Sequence, residues 1–376
     1  MYIWRMKYNW QQADWPDFKY DIQEIDDVLF SFAEETGLIA GMLNAMPNDL
    51  QTETVINLMV SEAMKTSEIE GEYISRQDVV SSIRNNLGLN KKPDNIKDKR
   101  AQGIGKLMVD VRDTYAGPLT KEKLFSWHEM LMASSRNIQV GKWRSHTEPM
   151  QVISGAVGKE KIHFEAPPSR QVAREMDKFI KWFNDTAPGG KKEIKKAPVR
   201  SAIAHLYFES IHPFEDGNGR IGRAIAEKAL SQTLGRPVLL SLSKTIEADK
   251  KTYYQALESS SQSNHITAWI KYFAGTTLLA QQQANQLIGF TLKKTKFFDY
   301  FKDRFNGRQL KVIKRMFDAG PEGFEGGMNA TKYISITKTS KATATRDLQH
   351  LAEIKAFIPE GGGRSIRYML NVEGGI

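Results

Sequence analysis

Between positions 211 and 223 the chain reads Ile211-His212-Pro213-Phe214-Glu215-Asp216-Gly217-Asn218-Gly219-Arg220-Ile221-Gly222-Arg223. Residues of these types at this spacing could handle a polyphosphate. Pro213 forces a turn after a segment that reads as a helix ending near Ser210. Gly217 and Gly219 let the backbone approach another group closely, and a new helix starts there. The start of a helix offers unpaired N–H groups and the positive end of a dipole, which together suit an anion. Arg220 and Arg223 lie three apart, so both guanidinium groups reach the same side of the first turns. Two arginines with free amides fit a polyphosphate better than a single carboxylate. Asp216, at the mouth, is placed to hold a magnesium ion on those phosphates. His212 is the one base inside the motif able to deprotonate a hydroxyl.

Competing readings of the same letters are weaker. Gly217 to Gly222 spells GxGxxG, but that dinucleotide fingerprint needs a preceding strand, and a helix is expected here. Gly155 to Lys159 lacks the spacing of a phosphate loop. The plain alternative makes His212 a core histidine and the arginines a solvated face. It must also explain an aspartate, an asparagine and two glycines crowded between them.

The string His212 to Arg223 matches the Fic motif HxFx(D/E)GNGRxxR at every specified position, and so resembles the Fic family. That resemblance implies a helical core and transfer of AMP from ATP to a hydroxyl of a protein. It implies His212 as general base and Asp216 as magnesium ligand. It further implies that Asn218, Arg220 and the amides of the Gly217–Gly219 loop hold the α- and β-phosphates, with Arg223 on the γ-phosphate. The alternating segment 152–165 resembles the family's flap, which aligns a target segment by strand addition. Tyr253 and Tyr254 resemble the pair beside the nucleotide base, whereas Ser261 departs from the asparagine of some relatives.

Upstream, Thr66-Ser67-Glu68-Ile69-Glu70-Gly71 resembles the family's inhibitory helix, (S/T)xxxE(G/N). The resemblance implies that Glu70 pairs with Arg223. A carboxylate in that guanidinium fork would displace the γ-phosphate and spoil the angle of the α-phosphate. The same site, with Glu70 positioning water, could instead remove AMP from a modified protein.

The elements that must position these residues are mostly helical. Apolar residues recur at helical spacing over 22–45 (weakened by Gly37 and Gly41), 52–64, 121–133, 169–184 and 199–210, with Thr120 as an N-cap. Residues 150–166 alternate on both sides of a glycine-rich tip and predict a β-hairpin. From Asn306 the order helix, helix, helix, hairpin predicts a winged helix-turn-helix, with Ser340 to Leu348 as recognition helix and a wing at 361–367. The expected class is mainly α: a helical N-terminal extension over 1–100 that carries the inhibitory helix, a Fic-type core over 101–300 and a winged helix over 301–376.

Composition limits the remaining possibilities. The chain has 376 residues, 53 Lys+Arg against 44 Asp+Glu, and no cysteine, which removes disulfides, thiol catalysis and Cys-ligated metal centres. No apolar run approaches the roughly 20 residues that span a bilayer. The start lacks the apolar stretch of a secretory signal. A soluble protein of a reducing compartment, the cytoplasm, is expected. Residues 1–90 hold 6 basic against 15 acidic side chains, and residues 291–376 hold 16 against 9. The basic tail favours DNA only mildly, and a protein-docking or homodimerising role for the winged helix stays open beside it. A DNA-binding regulator whose core only senses nucleotide is the reading from another class; it would need the arginines but no base.

Overall fold

The computed structural model describes residues 8–154, 161–321 and 323–372; the hairpin tip at 155–159, Tyr2 and Trp4 lie outside them. Helices dominate, and the chain divides into two compact units, residues 1–38 with 49–284 and residues 39–48 with 285–376. No helix among the described residues is long and apolar enough to cross a membrane.

The first helix, α1 (Asp26–Asn44), runs through Gly37 and Gly41 because both stand at exposed positions where a helix needs no side chain for packing. Next, α2 (Asn48–Ile69) extends beyond both ends of the apolar stripe that predicts it. Its last turn is buried through polar Thr66 and Ser67, each 1% exposed, which hydrophobic periodicity cannot register. Then come α3 (Arg76–Asn86), α4 (Lys99–Asp113) and α5 (Lys121–Met132). Thr120 caps α5 by accepting from the Lys123 amide, as its sequence position predicts. Within α4, a Cβ on Gly103 would stand 2.0 Å from the Met130 carbonyl, so a glycine is what lets α4 and α5 touch.

The predicted hairpin is β1 (Gln151–Ser154) and β2 (Lys161–Glu165), paired antiparallel with Ile153 opposite Ile162 and a register shift between Val152 and Ile153. It is followed by α6 (Ser169–Asp185), which buries Val172, Met176, Phe179 and Phe183. Two central helices come next, α7 (Ala197–Ile211) and α8 (Asn218–Leu234). All but one residue of α7 is buried, so burial runs all round this helix rather than along one stripe, and its polar Arg200, Ser201, His205 and Ser210 lie inside. The core of this unit runs through Val60, Leu107, Trp127, Phe179, Phe208 and Ile225. The helices α9 (Leu242–Ala248), α10 (Lys250–Ser260) and α11 (Thr267–Tyr300) complete the α7–α8 surroundings, with α11 entering the second unit at Asn285.

In the second unit, α12 (Gly307–Phe317), α13 (Ala330–Thr337) and α14 (Lys341–Glu353) precede the antiparallel pair β3 (Phe357–Glu360) and β4 (Arg367–Leu370). That is the predicted order of elements. Asp347 ties the unit together: it is buried and accepts from Tyr333 Oη at 2.9 Å and Arg308 Nε at 2.9 Å. Lys341, Thr345 and Arg346 stand exposed on α14.

Candidate active site

A cavity of about 380 Å³ opens among α7, α8, α10 and the hairpin, and His212, Gly219, Arg223, Tyr253, Tyr254 and Glu70 all line it. These residues come from segments up to 184 positions apart in the chain, and the sequence analysis had singled out each of them. Asp216, Gly217, Asn218 and Arg220 stand in the adjoining turn and first helical turn instead.

His212 ends α7 as its C-cap in the left-handed conformation, φ 50 and ψ 61. A non-glycine residue there costs energy and needs to be held from outside. Arg144 does the holding, and no sequence signal pointed to it. Its Nε donates to the His212 carbonyl at 2.8 Å, its Nη2 reaches the carbonyls of Pro167 at 2.5 Å and Ile211 at 3.3 Å, and its amide donates to Pro213 at 2.9 Å. Burial brings the Arg144 guanidinium down to about 10. Burial, helped by that nearby charge, also brings the His212 imidazole down to about 4, so the ring is neutral at pH 7 and able to accept a proton.

The turn after His212 is built from side chain to backbone. Asn218 accepts from the Phe214 amide and donates to the Phe214 carbonyl, both at 2.9 Å. Its amide group thus pins the loop. Gly217 is the N-cap of α8 at φ 81, a conformation that favours glycine. His128, also unsuspected from sequence, stacks on Phe214 at 4.1 Å and accepts from the Gly141 amide through Nδ1. Its Nε2 lies 3.2 Å from the Asp216 carbonyl and donates to it, which fixes the floor of the turn. The Asp216 side chain is 59% exposed, and one of its oxygens accepts from the Gly217 amide. No cluster of three or more metal-ligating side chains occurs among the described residues. A single exposed carboxylate fits an ion shared with a phosphate ligand, since magnesium keeps several waters and takes few protein ligands.

Both motif arginines are already paired. Arg223, 1% exposed, donates from Nη2 to Glu70 Oε1 at 2.7 Å and to the Thr66 carbonyl at 3.0 Å, and from Nε to Thr66 Oγ1 at 2.8 Å. Thr66 and Glu70 are one turn apart, so both face α8. Burial alone would raise the Glu70 carboxyl; Arg223, then Arg220 and Lys250, outweigh it and hold Glu70 below the usual carboxylate range. Gly219 makes the contact possible, because a Cβ there would stand 2.4 Å from Glu70 Oε1. A second pair, with no signal in the sequence, joins Arg220 Nη1 to Glu72 Oε2 at 2.8 Å. Gly71, at φ 78, turns the chain so that Glu70 and Glu72 both reach α8.

On the far side of the cavity the hairpin is tied to α10 and to the N-terminal segment, and Lys161 Nζ also meets Glu258 Oε1 at 3.4 Å. Glu258 of α10 bonds His163 Nδ1 at 2.8 Å, Trp10 Nε1 donates to the Glu165 carbonyl at 2.7 Å, and Phe164 is buried. Ile153 and Ile162 remain 54% and 46% exposed. Tyr253 is buried with its hydroxyl 2.7 Å from His205 Nε2, while Tyr254 is 40% exposed. Ser261 also lines the cavity; its hydroxyl donates to the Glu258 carbonyl at 2.8 Å and its own carbonyl accepts from the Asn9 amide.

The chain is similar to known proteins in part of its sequence and in its fold. Residues 118–230 match the model of the Fic/DOC family, and residues 8–89 match that of a domain of unknown function (DUF4172). A protein adenylyltransferase Fic of Nematostella vectensis is 26% identical over 161 residues, 42% of this chain and 32% of that relative. Protein adenylyltransferase fic-1 of Caenorhabditis briggsae is 26% identical over 36% of this chain and 23% of its own length. The chain therefore spans about a third or less of these curated relatives. A solved Fic family protein from Desulfovibrio desulfuricans G20 aligns over 94% of this chain and 97% of its own, with a TM-score of 0.53 at 18% identity. A Fic domain containing signaling protein from Bacteroides thetaiotaomicron VPI-5482 aligns over 69% of this chain and 97% of its own, with a TM-score of 0.52 at 16% identity. Residues 118–230, which carry the His212–Arg223 motif, are thus similar to the Fic/DOC family, and the chain shares the fold of the solved Fic proteins.

Proposed function

We propose that this chain is a protein adenylyltransferase that moves AMP from ATP to a hydroxyl side chain of a target protein, or of itself, and that Glu70 holds it inactive. The observation that carries the reading is the Glu70–Arg223 pair inside the cavity that His212 also lines. In the released enzyme, Gly217, Gly219, Arg220 and Arg223 hold the polyphosphate, with Asn218 keeping their loop in shape, and Tyr253 and Tyr254 flank the base. The target hydroxyl gives its proton to His212. Its oxygen bonds to the α-phosphorus, the bond from that phosphorus to the bridging oxygen breaks, and pyrophosphate leaves with the electron pair. Asp216 would hold Mg2+, which neutralises phosphate charge when bound. A target segment adds to the free edge of the hairpin through main-chain bonds, so register is set without reading much side-chain sequence.

Intact-mass spectrometry after incubation with ATP and Mg2+ tests the reading. Glu70→Gly should raise AMP incorporation by ~10–100-fold, the factor that corresponds to losing a charged hydrogen bond worth about 1.5–3 kcal/mol. Glu72→Gln added to Glu70→Gly should raise it further by freeing Arg220. Equal incorporation in wild type and Glu70→Gly would remove the inhibitory role, and no adduct in either would remove the activity.

Asp216→Ala, in the Glu70→Gly background, should shift the magnesium titration of transfer severalfold toward higher concentration. An unchanged titration curve would show that the ion is held without Asp216.

A further inference from the structure

Glu70 reaches Arg223 only while the end of α2 is held in place. Val60 and Ala63 anchor the helix in the core of the unit, but Lys65 to Glu68 form a polar stretch between Ala63 and the buried Ile69. That stretch and its exit are gripped by α9 and by the start of α10. Lys65 Nζ meets Glu247 Oε2 of α9 at 3.2 Å. Lys250 Nζ, in the first turn of α10, donates to the Ile69 carbonyl. Ile69 is the last residue of α2, so this carbonyl belongs to the peptide group that leads directly into Glu70. Nothing in the proposed reaction assigns a role to Lys250.

The last carbonyls of a helix find no partner within it, and a cation near them meets the negative end of the helix dipole. Lys250 meets both needs at the end of α2. Its place in its own helix points the same way, because the first turn of α10 is the positive end, where a lysine is disfavoured. The Tyr254 ring, one turn further along α10, lies 5.7 Å from Nζ and adds a cation–π contact that steadies it. The charge is felt at Glu70 as well. Burial works against an ionised carboxyl there, and Lys250 joins Arg223 and Arg220 in outweighing it.

We propose that Lys250 is a positioning residue for Glu70: by holding the Ile69–Glu70 peptide group against α10, it keeps the carboxylate in the Arg223 fork. Without the Nζ contact the exit of α2 frays, and Glu70 spends part of its time away from Arg223, which a polyphosphate then occupies. The Lys65–Glu247 pair is a contact of another kind. Its side chains are 32% and 35% exposed, and a solvated pair contributes little. The two lysines therefore separate a specific hold on Glu70 from a general loosening of α2. The amides of Glu70, Gly71 and Glu72 donate to the carbonyls of Ser67, Glu68 and Ser67, so their exchange with solvent reports on this exit.

The transfer arm of the test rests on the autoinhibited adenylyltransferase reading; the hydrogen-exchange arm does not. In the unliganded protein, Lys250→Met should speed exchange over residues 70–72 by ~10-fold, the lower end for a hydrogen bond to a charged group, with α8 unchanged as a control for the fold. Lys65→Met should stay within about twofold of wild type. With ATP and Mg2+, Lys250→Met should raise AMP incorporation ~5–10-fold while Glu70 is present. In the Glu70→Gly background it should change incorporation by less than about twofold, because no carboxylate is left to position. A gain or loss of the same size in both backgrounds would overturn the proposal, since Lys250 would then act on the nucleotide or the fold rather than on Glu70. Unchanged exchange over 70–72, or an increase shared by α8, would overturn it too, and so would a Lys65→Met variant that matches Lys250→Met in either arm. Absence of transfer in every variant would count against the adenylyltransferase reading, while the exchange comparison still decides the role of Lys250.

Discussion

In the Glu70→Gly background, His212→Ala should abolish AMP transfer, a fall of ~10²–10⁴-fold, while ATP still binds. The two outcomes separate because different groups serve them. In the proposed reaction the phosphates would be held by Gly219 and Arg223, which line the cavity, and by Arg220 in the adjoining turn, none of which uses the imidazole. The backbone at position 212 is held by Arg144 through carbonyls, and those bonds survive truncation of the side chain. Alanine meets the same left-handed strain as histidine, so the loop has no new reason to move. The neutral imidazole, buried and titrating at about 4, is what the variant loses. Calorimetric ATP affinity beside single-turnover mass spectrometry makes the check. Transfer at close to the parental rate would mean that another group is the base. A chain that only senses nucleotide would bind ATP and give no adduct in either background.

The second large effect concerns the hairpin. Ile162→Pro, again with Glu70→Gly, should cut modification of a protein target by ~10²-fold, the cost of a reacting group displaced by about an ångström. ATP affinity should stay within about twofold. Proline removes a main-chain donor from β2 at a position paired with Ile153 and 46% exposed, two residues before the buried Phe164. The contacts of Trp10 with Glu165 and of Glu258 with His163 stay in place. β2 would lose the continuous edge that a target strand needs. ATP affinity and target modification falling together would show that the hairpin supports the phosphate site itself.

Much of the site was legible because its chemistry is written locally. His212 to Arg223 lie within one helix end, one turn and one helix start, where spacing alone brings groups together. The hairpin was legible from alternation, and Thr120 from its place before a helical run. Less legible was the reach of α2, whose last turn is buried by polar bonds to Arg223 rather than by an apolar stripe. The same holds for the contacts of Asn218, whose side-chain amide accepts from and donates to the Phe214 backbone, which a motif cannot show.

The sequence by itself determined the residue types suited to a polyphosphate, their order, and the mainly helical class that carries them, because helical spacing and turn chemistry act over a few residues. The tertiary structure decided which distant groups complete the site. Arg144 fixes the strained His212, His128 holds the Asp216 carbonyl, and Glu72 takes Arg220 just as Glu70 takes Arg223. Each of these contacts joins segments at least 68 residues apart in the chain, where no local rule operates. Protonation follows the same division. A carboxyl three residues before a histidine is ordinary in a sequence; burial beneath α8 is what raises Glu209 to about 8 and lowers His212 to about 4, because desolvation penalises whichever form is charged.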